Sequence, residues 1–327
     1  MGPDAFDYDL PAAAVAQIPA EPRDAARLLV SLDDAGAVAH RRVADLAELL
    51  GPGDLLVVND TRVLPARLRL RRATGGAVEV LLLEPDERPR TWTALVRPGR
   101  RLPPGTRVEA PGLAVVIGDR LDGGCRRVEV QGSIEEHGVV PLPPYIHAPL
   151  ADPERYQTVY ARQPGSVAAP TAGLHLTSAL LDRCRDAGAE VARVELAVGL
   201  DTFKPIVVDD LDAHVMHTER YSVPAATMEA CGRARRVIAV GTTTVRALES
   251  AARGRLDGRT DLFIRDPFEF RAVDVLLTNF HFPRSTLLVL LHAFIGARWR
   301  DLYARALDDG YRFLSFGDAM LTGRSPR

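Results

Sequence analysis

The feature that most constrains this chain is a change of texture partway along it. On either side, strand-like apolar runs alternate with helix-like segments. Between about residues 66 and 140 no segment sustains a helical period. In the N-terminal flank a helix is expected at 43–50. The glycine–proline turn at 51–54 then leads into a buried strand at 55–58. The C-terminal flank predicts helices at 178–187, 226–234, 245–252 and 286–294, with strands at 190–198, 236–240 and 272–277. The middle holds short β-rich runs at 77–83, 91–96, 113–117 and 126–130, cut by Gly and Pro turns. Alternating strands and helices define an α/β layer architecture. The expected fold is therefore a main α/β domain built from both chain ends (1–65 and 150–327) with an inserted small all-β barrel domain (66–149). The stretch Pro-Leu-Pro-Pro-Tyr ending at Tyr145 makes a stiff exit from the insert.

Composition narrows the function classes. A chain of 327 residues with 46% hydrophobic and 26% charged residues belongs with globular proteins and is long for one core. The formal net charge of -2 excludes attachment to nucleic acid by bulk charge, although a local basic groove remains open. Lys204 is the only lysine, so arginine density reflects a coding bias and is weak evidence for a nucleic-acid patch. Cys125, Cys184 and Cys231 lie far apart without a CxxC pair, which argues against a disulfide framework or a zinc finger. The first residues carry acids where a secretory leader needs basic and apolar ones, and the longest apolar stretch, 286–296, is about half of a bilayer span. A cytoplasmic protein with no membrane partner is expected.

Polar groups gather where the expected strands end, and such ends bind ligands in open α/β sheets. Asn59, Asp60, Thr61 and Arg62 follow the strand at 55–58. Pro170, Thr171, Gly173 and His175 sit in a small-residue segment that lets backbone approach a ligand closely. Gly199, Asp201, Thr202 and Phe203 follow the strand at 190–198, and Asn279 and His281 follow the one at 272–277. His214, His217 and Glu219 crowd together, but no third ligand at metal spacing accompanies them, so no metal is expected. Gly241, Thr242 and Thr243 lead from a strand into a helix whose first amides suit an anionic or polar ligand, while the absence of GK[ST] and of GxGxxG excludes a Walker A loop and a dinucleotide fingerprint. Arg246 and Glu249, three apart, could pair on that helix's surface.

The motifs NDTRVLPARL, PLPPYI, YQTVYA, AAPTAGLHL, VIAVGTTTVRALES, LLTNFHFPRSTL and YRFLSFGDAM run in this order across nearly the whole chain. The set resembles the S-adenosylmethionine:tRNA ribosyltransferase-isomerase family of queuosine biosynthesis. That resemblance implies transfer and isomerisation of the ribosyl moiety of S-adenosylmethionine onto 7-aminomethyl-7-deazaguanine at the wobble position of a tRNA anticodon. Adenine and methionine leave and epoxyqueuosine-tRNA forms. It implies S-adenosylmethionine as co-substrate, tRNA as partner, and neither a metal nor a redox cofactor.

On this resemblance His175, His214, His217 and Glu219 are the expected acid–base groups. A base of that kind would remove a ribose proton acidified by the sulfonium. Asn59, Asp60, Thr61, Arg62, Pro170, Thr171, Gly173, Gly241, Thr242, Thr243, Arg246, Asn279 and His281 are expected at the co-substrate. Gly199, Asp201, Thr202, Phe203, Arg67 and Arg69 are expected at the acceptor. One departure stands out: where the family commonly reads HVGAGTF, this chain has Ala197, Leu200 and Asp201 in place of a histidine, an alanine and a glycine. Two other readings follow, a paralogue that uses another acceptor (a small nucleobase-like amine or a different RNA) and a catalytically inactive binder. Oligomeric state is not legible in the sequence.

Overall fold

The computed structural model describes residues 2–33, 37–199 and 205–325. It divides into two compact units: Met1–Thr61, Pro143–Gln163 and Ala169–Arg327 form the first, Arg62–Leu142 and Pro164–Ala168 the second. In chain order the strands begin with β1 (Arg27–Ser31), β2 (Ala39–Arg42), β3 (Asp54–Asn59) and β4 (Thr61–Val63). Next come β5 (Arg67–Arg72), β6 (Ala77–Pro85), β7 (Thr91–Arg97), β8 (Arg107–Ala110), β9 (Leu113–Arg120) and β10 (Arg126–Gln131). The chain continues with β11 (Gln163–Ser166), β12 (Glu190–Leu196), β13 (Glu219–Ser222), β14 (Arg236–Val240), β15 (Asp257–Thr260), β16 (Val275–Asn279) and β17 (Ala319–Gly323). The α-helices are α1 (Ile134–His137), α2 (Ser178–Asp186), α3 (Ala225–Arg233), α4 (Thr242–Ala251), α5 (Thr286–Ile295) and α6 (Trp299–Asp308).

The first unit is a mixed nine-stranded sheet in the order β15-β13-β12-β3-β14-β16-β17-β1-β2, flanked by helices. Its centre is four parallel strands, β12, β3, β14 and β16. Strands covered on both faces read as continuous apolar runs, and every residue of β3 and β16 is buried, as are Val237 to Val240 of β14. β17 runs antiparallel beside β16 and β1 runs parallel beside β17, so the two ends of the chain meet in one sheet. Leu28, Val43, Leu46, Leu56, Leu180, Ile238 and Leu277 belong to the core cluster on this sheet. At the start of β3, Gly53 takes φ +86 and the buried Asp54 carboxylate accepts from Gly51 N (3.0 Å) and from Arg236 (2.6 and 2.9 Å). Burial pushes the Asp54 pKa up, but Arg236, the Gly51 amide and Arg235 outweigh it and hold the carboxyl below its usual range.

The second unit is a closed six-stranded antiparallel barrel, β10-β7-β6-β5-β8-β9. Side chains alternate as a strand requires: Leu68 and Leu70 of β5 point inward with Val78, Val80, Val108, Val115, Ile117 and Val128, while Arg69 and Arg71 face out.

Three local expectations change. The segment at 43–50 is a 3-10 helix, Val43–Glu48. The helix expected from 245 starts at Thr242, because Thr244 Oγ1 donates back to Val240 O at 2.6 Å and carries the turn directly out of β14. The strand expected at 272–277 is displaced to Val275–Asn279, since the amides of Arg271, Ala272 and Val273 bond the buried Glu249 carboxylate instead of a neighbouring strand. Among the described residues no helix is long and apolar enough to cross a membrane.

Candidate active site

The four central parallel strands deliver their carboxyl ends to one edge of the sheet. Asn59 ends β3, Val198 follows β12, Gly241 follows β14 and Asn279 ends β16. A cavity of about 40 Å³ opens there, lined by Ala169 to Ala172, Val198, Gly241, Thr242, Thr243, Thr278, Asn279, His281 and Leu287. That volume holds a few ordered waters or one polar fragment of a larger ligand. Gly241 adopts φ +87, a left-handed conformation that turns the chain from β14 into α4 and presents the first amides of that helix to the cavity. Opposite them, Thr171 Oγ1 donates to Asn279 Oδ1 at 2.9 Å, so the 170–175 segment and the end of β16 are pinned together.

His281 is the one histidine among the lining residues, and its position is fixed from three sides. Its backbone N–H donates to Tyr303 Oη (2.8 Å), its carbonyl accepts from Tyr8 Oη (2.5 Å), and Nε2 lies 3.0 Å from Thr278 Oγ1. Burial lowers its pKa to about 3, so the ring is neutral across the physiological range. A neutral imidazole held this way can donate to or accept from a ligand, but it is too weak a base to carry away a proton near pH 7.

Asn59, expected at the co-substrate, is instead a splice between elements. Its amide donates to Leu196 O (3.0 Å) and Thr243 Oγ1 (3.3 Å), and its Oδ1 accepts from the amides of Thr61 and Leu196 (both 3.2 Å). It thereby fixes Thr243, which does line the cavity. The Asp60 carboxylate faces Arg162 (3.0 Å) and Arg193 (3.7 Å), and Thr61 opens β4. None of Asn59, Asp60 and Thr61 lines the cavity.

Arg246 is likewise consumed away from it. The guanidinium forms a buried ion pair with Glu219 and donates to Leu262 O at 3.1 Å. Burial lowers its pKa to about 10, which leaves it charged. Glu219 Oε1 accepts the Gly199 amide at 2.9 Å, so this pair anchors the point from which the Leu200–Asp201 departure begins. Glu249 does not pair with Arg246. It is fully buried, accepts the three loop amides described above, and takes an ion pair from Arg253 at 2.9 Å.

The expected acid–base histidines separate. His175 is buried at the end of the 3-10 turn Thr171–His175, with Nε2 2.9 Å from Gly317 O and Nδ1 without a hydrogen-bond partner of good geometry. Burial lowers its pKa against the opposing pull of the Gly317 carbonyl and Asp318. His214 is half-buried against the Phe263 ring, centroids 5.2 Å apart, and His217 is exposed; neither lines the cavity. Pro170 and Thr171 line it, whereas Gly173 does not: a Cβ there would meet Tyr160 Oη at 2.0 Å, so close packing is what requires the glycine. Arg62, Arg67 and Arg69 belong to the barrel unit, where Arg67 reaches the Leu142 carbonyl (3.4 Å) and Arg69 is exposed. Asp201, Thr202 and Phe203 lie outside the described residues. Sequence reasoning passed over Tyr8 and Tyr303, for which no local signal existed, and Leu287, which a strand-end rule extended to apolar neighbours would have found. Among the described residues no group of three or more His, Cys, Asp or Glu is placed to hold a metal ion.

An open sheet with a partly polar cavity at its carboxyl edge, together with a closed barrel inserted in the chain, defines an α/β protein of the ligand-binding class. Residues 3–322 match the model of the queuosine biosynthesis protein family. The S-adenosylmethionine:tRNA ribosyltransferase-isomerase of Thermus thermophilus is 50% identical over 344 residues, covering 98% of this chain and 99% of that one. The protein of the same name from Anaeromyxobacter dehalogenans is 53% identical, with 97% of each covered. A crystal structure of S-adenosylmethionine tRNA ribosyltransferase from Thermotoga maritima aligns with a TM-score of 0.56 at 38% identity, covering 97% of this chain and 99% of that one. The chain belongs to the S-adenosylmethionine:tRNA ribosyltransferase-isomerase family, a family of queuosine biosynthesis enzymes.

Proposed function

We propose that this protein moves the ribosyl moiety of S-adenosylmethionine onto 7-aminomethyl-7-deazaguanine at the wobble position of a tRNA. The ribose isomerises, epoxyqueuosine-tRNA forms, and adenine and methionine are released. The observation that carries this reading is near-full-length identity of about half to enzymes of that name, joined to a partly polar cavity at the strand ends where such a sheet binds its ligand. In this reading the first amides of α4 and the Thr242 and Thr243 hydroxyls receive a polar or anionic group of S-adenosylmethionine. Asn279 and neutral His281 bond a ring or hydroxyl edge, and the rest of the nucleoside extends past the mouth of so small a cavity. His175 is the best placed of the proposed bases, on the segment that lines the cavity, with its ring bonded to the Gly317 and Ala172 backbone and not itself in the lining. The work is intracellular because the tRNA is, so the protein is placed in the cytoplasm.

The substitution of Ala197, Leu200 and Asp201 into the family pattern supports a second reading, in which the same co-substrate serves another acceptor. Adenine release decides between them. Protein is mixed with S-adenosylmethionine and either tRNA bearing the aminomethyl-deazaguanine base, unmodified tRNA, or small nucleobase amines. Release that needs the modified tRNA supports the first reading, release only with other acceptors supports the second, and no release with any of them refutes both.

A further inference from the structure

We propose that the outer face of the barrel formed by β5, β6 and β7 is a docking surface for the phosphate backbone of the RNA; the identity of that polyanion rests on the tRNA reading above. The two units carry opposite charge. Arg62–Leu142 with Pro164–Ala168 holds fourteen arginines against ten acidic residues, a formal +4, which leaves -6 on the remainder of a chain whose total is -2. Within the barrel one group of exposed arginines surrounds a depression on β5 to β7. The alternation of β5 puts Arg69 and Arg71 outside, and Arg97 stands exposed at the end of β7. The register sets Arg69 beside Glu79 and Glu79 beside Arg97, a row of two cations about a single acid. These residues line an open depression of about 550 Å³ with Leu70, Ala77, Val78 and Pro98. Exposed Arg100 and Arg101 follow Pro98 after Gly99.

Arginine is abundant throughout this chain, so abundance alone decides nothing. Pairing and placement do. On the strands bordering this face, Arg107 of β8 is held by Glu109 (2.5 Å) and Gln131 (2.7 Å), and Arg127 of β10 by Asp86 (2.7 Å) and Asp119 (3.8 Å), Glu109 standing beside Arg71 in the β5–β8 register. Arg126 is buried and donates to the carbonyls of Gly118 and Leu102. Among the described residues Arg69, Arg97, Arg100 and Arg101 have no carboxylate within ion-pair distance, and Arg71 reaches only the Gly75 carbonyl. A coding bias raises arginine on every face, and exposed Arg88, Arg90 and Arg120 also stand without an ion pair among the described residues, but only on β5 to β7 do such guanidiniums gather around one depression. No aromatic ring lines the depression, so the surface suits phosphates and not stacked bases, and its contribution is independent of RNA sequence.

The test is the affinity of an unmodified tRNA transcript, read by fluorescence anisotropy between low and moderate salt, for wild type, R107A and the triple variant R69A/R71A/R97A. All four positions are exposed, and circular dichroism checks that each variant is folded. The triple variant should bind at least about tenfold more weakly, and its dependence of log affinity on log salt should flatten by about two to three, the share of three lost phosphate contacts. R107A should track wild type. Equal affinity and equal slope for wild type and the triple variant, or an equal loss in R107A, overturns the proposal. So does a triple variant that keeps its tRNA affinity but loses binding to polyglutamate, which would assign the face to an acidic protein. Failure here is distinct from failure of the proposed activity. A wild type that releases adenine with modified tRNA while the triple variant binds normally refutes only the docking surface. A wild type that grips tRNA through these arginines yet releases no adenine with any acceptor refutes only the activity.

Discussion

The Tyr303 hydroxyl on α6 accepts the backbone N–H of His281 at 2.8 Å, deep inside the first unit. That bond ties a helix that does not line the cavity to a residue that does. In Tyr303→Phe the His281 amide is left buried without an acceptor, at a cost of about 1–3 kcal/mol. Urea unfolding should show that loss, and adenine release should fall with it as His281 shifts from its place beside Thr278. A variant as stable and as active as wild type would mean the amide finds another partner.

Stability should depend on His281 in a defined pH window. Its folded pKa is lowered to about 3, and the unfolded histidine titrates near 6.5, so below pH 6.5 the unfolded chain binds a proton that the folded chain refuses. The contribution is complete above pH 6.5 and is lost as pH falls toward 3, at up to about 1.4 kcal/mol per pH unit. His175 shifts in the same direction for the same cause. Unfolding free energies of wild type and His281→Asn measured between pH 5 and 6.5 should therefore differ in slope by about one proton, wild type being the steeper. Parallel slopes would show that the ring is already protonated in the folded state.

Gly241 gives a backbone prediction. A Cβ there would meet only Ala172 Cβ at 3.6 Å and Thr243 Oγ1 at 3.7 Å, ordinary contacts, so space does not forbid alanine. The backbone at φ +87 and ψ +153 does, a region essentially confined to glycine, at about 1–3 kcal/mol for a residue with a side chain. Relief of that strain would move the first turn of α4, so Gly241→Ala should weaken S-adenosylmethionine binding, measured by calorimetry, by more than the loss of stability suggests. Unchanged affinity would detach the first turn of α4 from the co-substrate.

What the sequence made legible follows from how local the physics is. The strand Arg236–Val240 declares itself through an unbroken apolar run between turn signals, and α5 through its Ser285 cap and a leucine-rich face. The β-rich texture of the barrel is likewise a property of short windows. β1 and β17 escaped because neither is distinctive alone; what buries Leu28 and Leu29 is pairing with Ala319 and Met320, some 290 residues away. The site divides the same way. Gly241, Thr242 and Asn279 could be placed from the strand before them. Arg246 could not, because its partner Glu219 comes from another strand, and the expected surface pairing with Glu249 gave way once that carboxylate had three backbone amides to accept. Long-range partners decide which polar side chains remain for a ligand.

The Arg246–Glu219 pair makes the final prediction. Both side chains are about 8% exposed, so removing one charge strands the other in a low-dielectric setting. Glu219→Gln keeps an acceptor for the Gly199 amide but leaves Arg246 without its counter-charge, and should cost about 3 kcal/mol. Arg246→Leu leaves the Glu219 carboxylate with the Gly199 amide and should cost a similar amount. The double variant Glu219→Gln/Arg246→Leu buries no net charge and should be more stable than the sum of the two losses, with a coupling of about 1–3 kcal/mol in a denaturation cycle. Because Glu219 also fixes the root of the segment carrying Leu200 and Asp201, the same variants should lower adenine release even where the fold is restored. A double variant with full stability and full turnover would show that this anchor serves the fold alone.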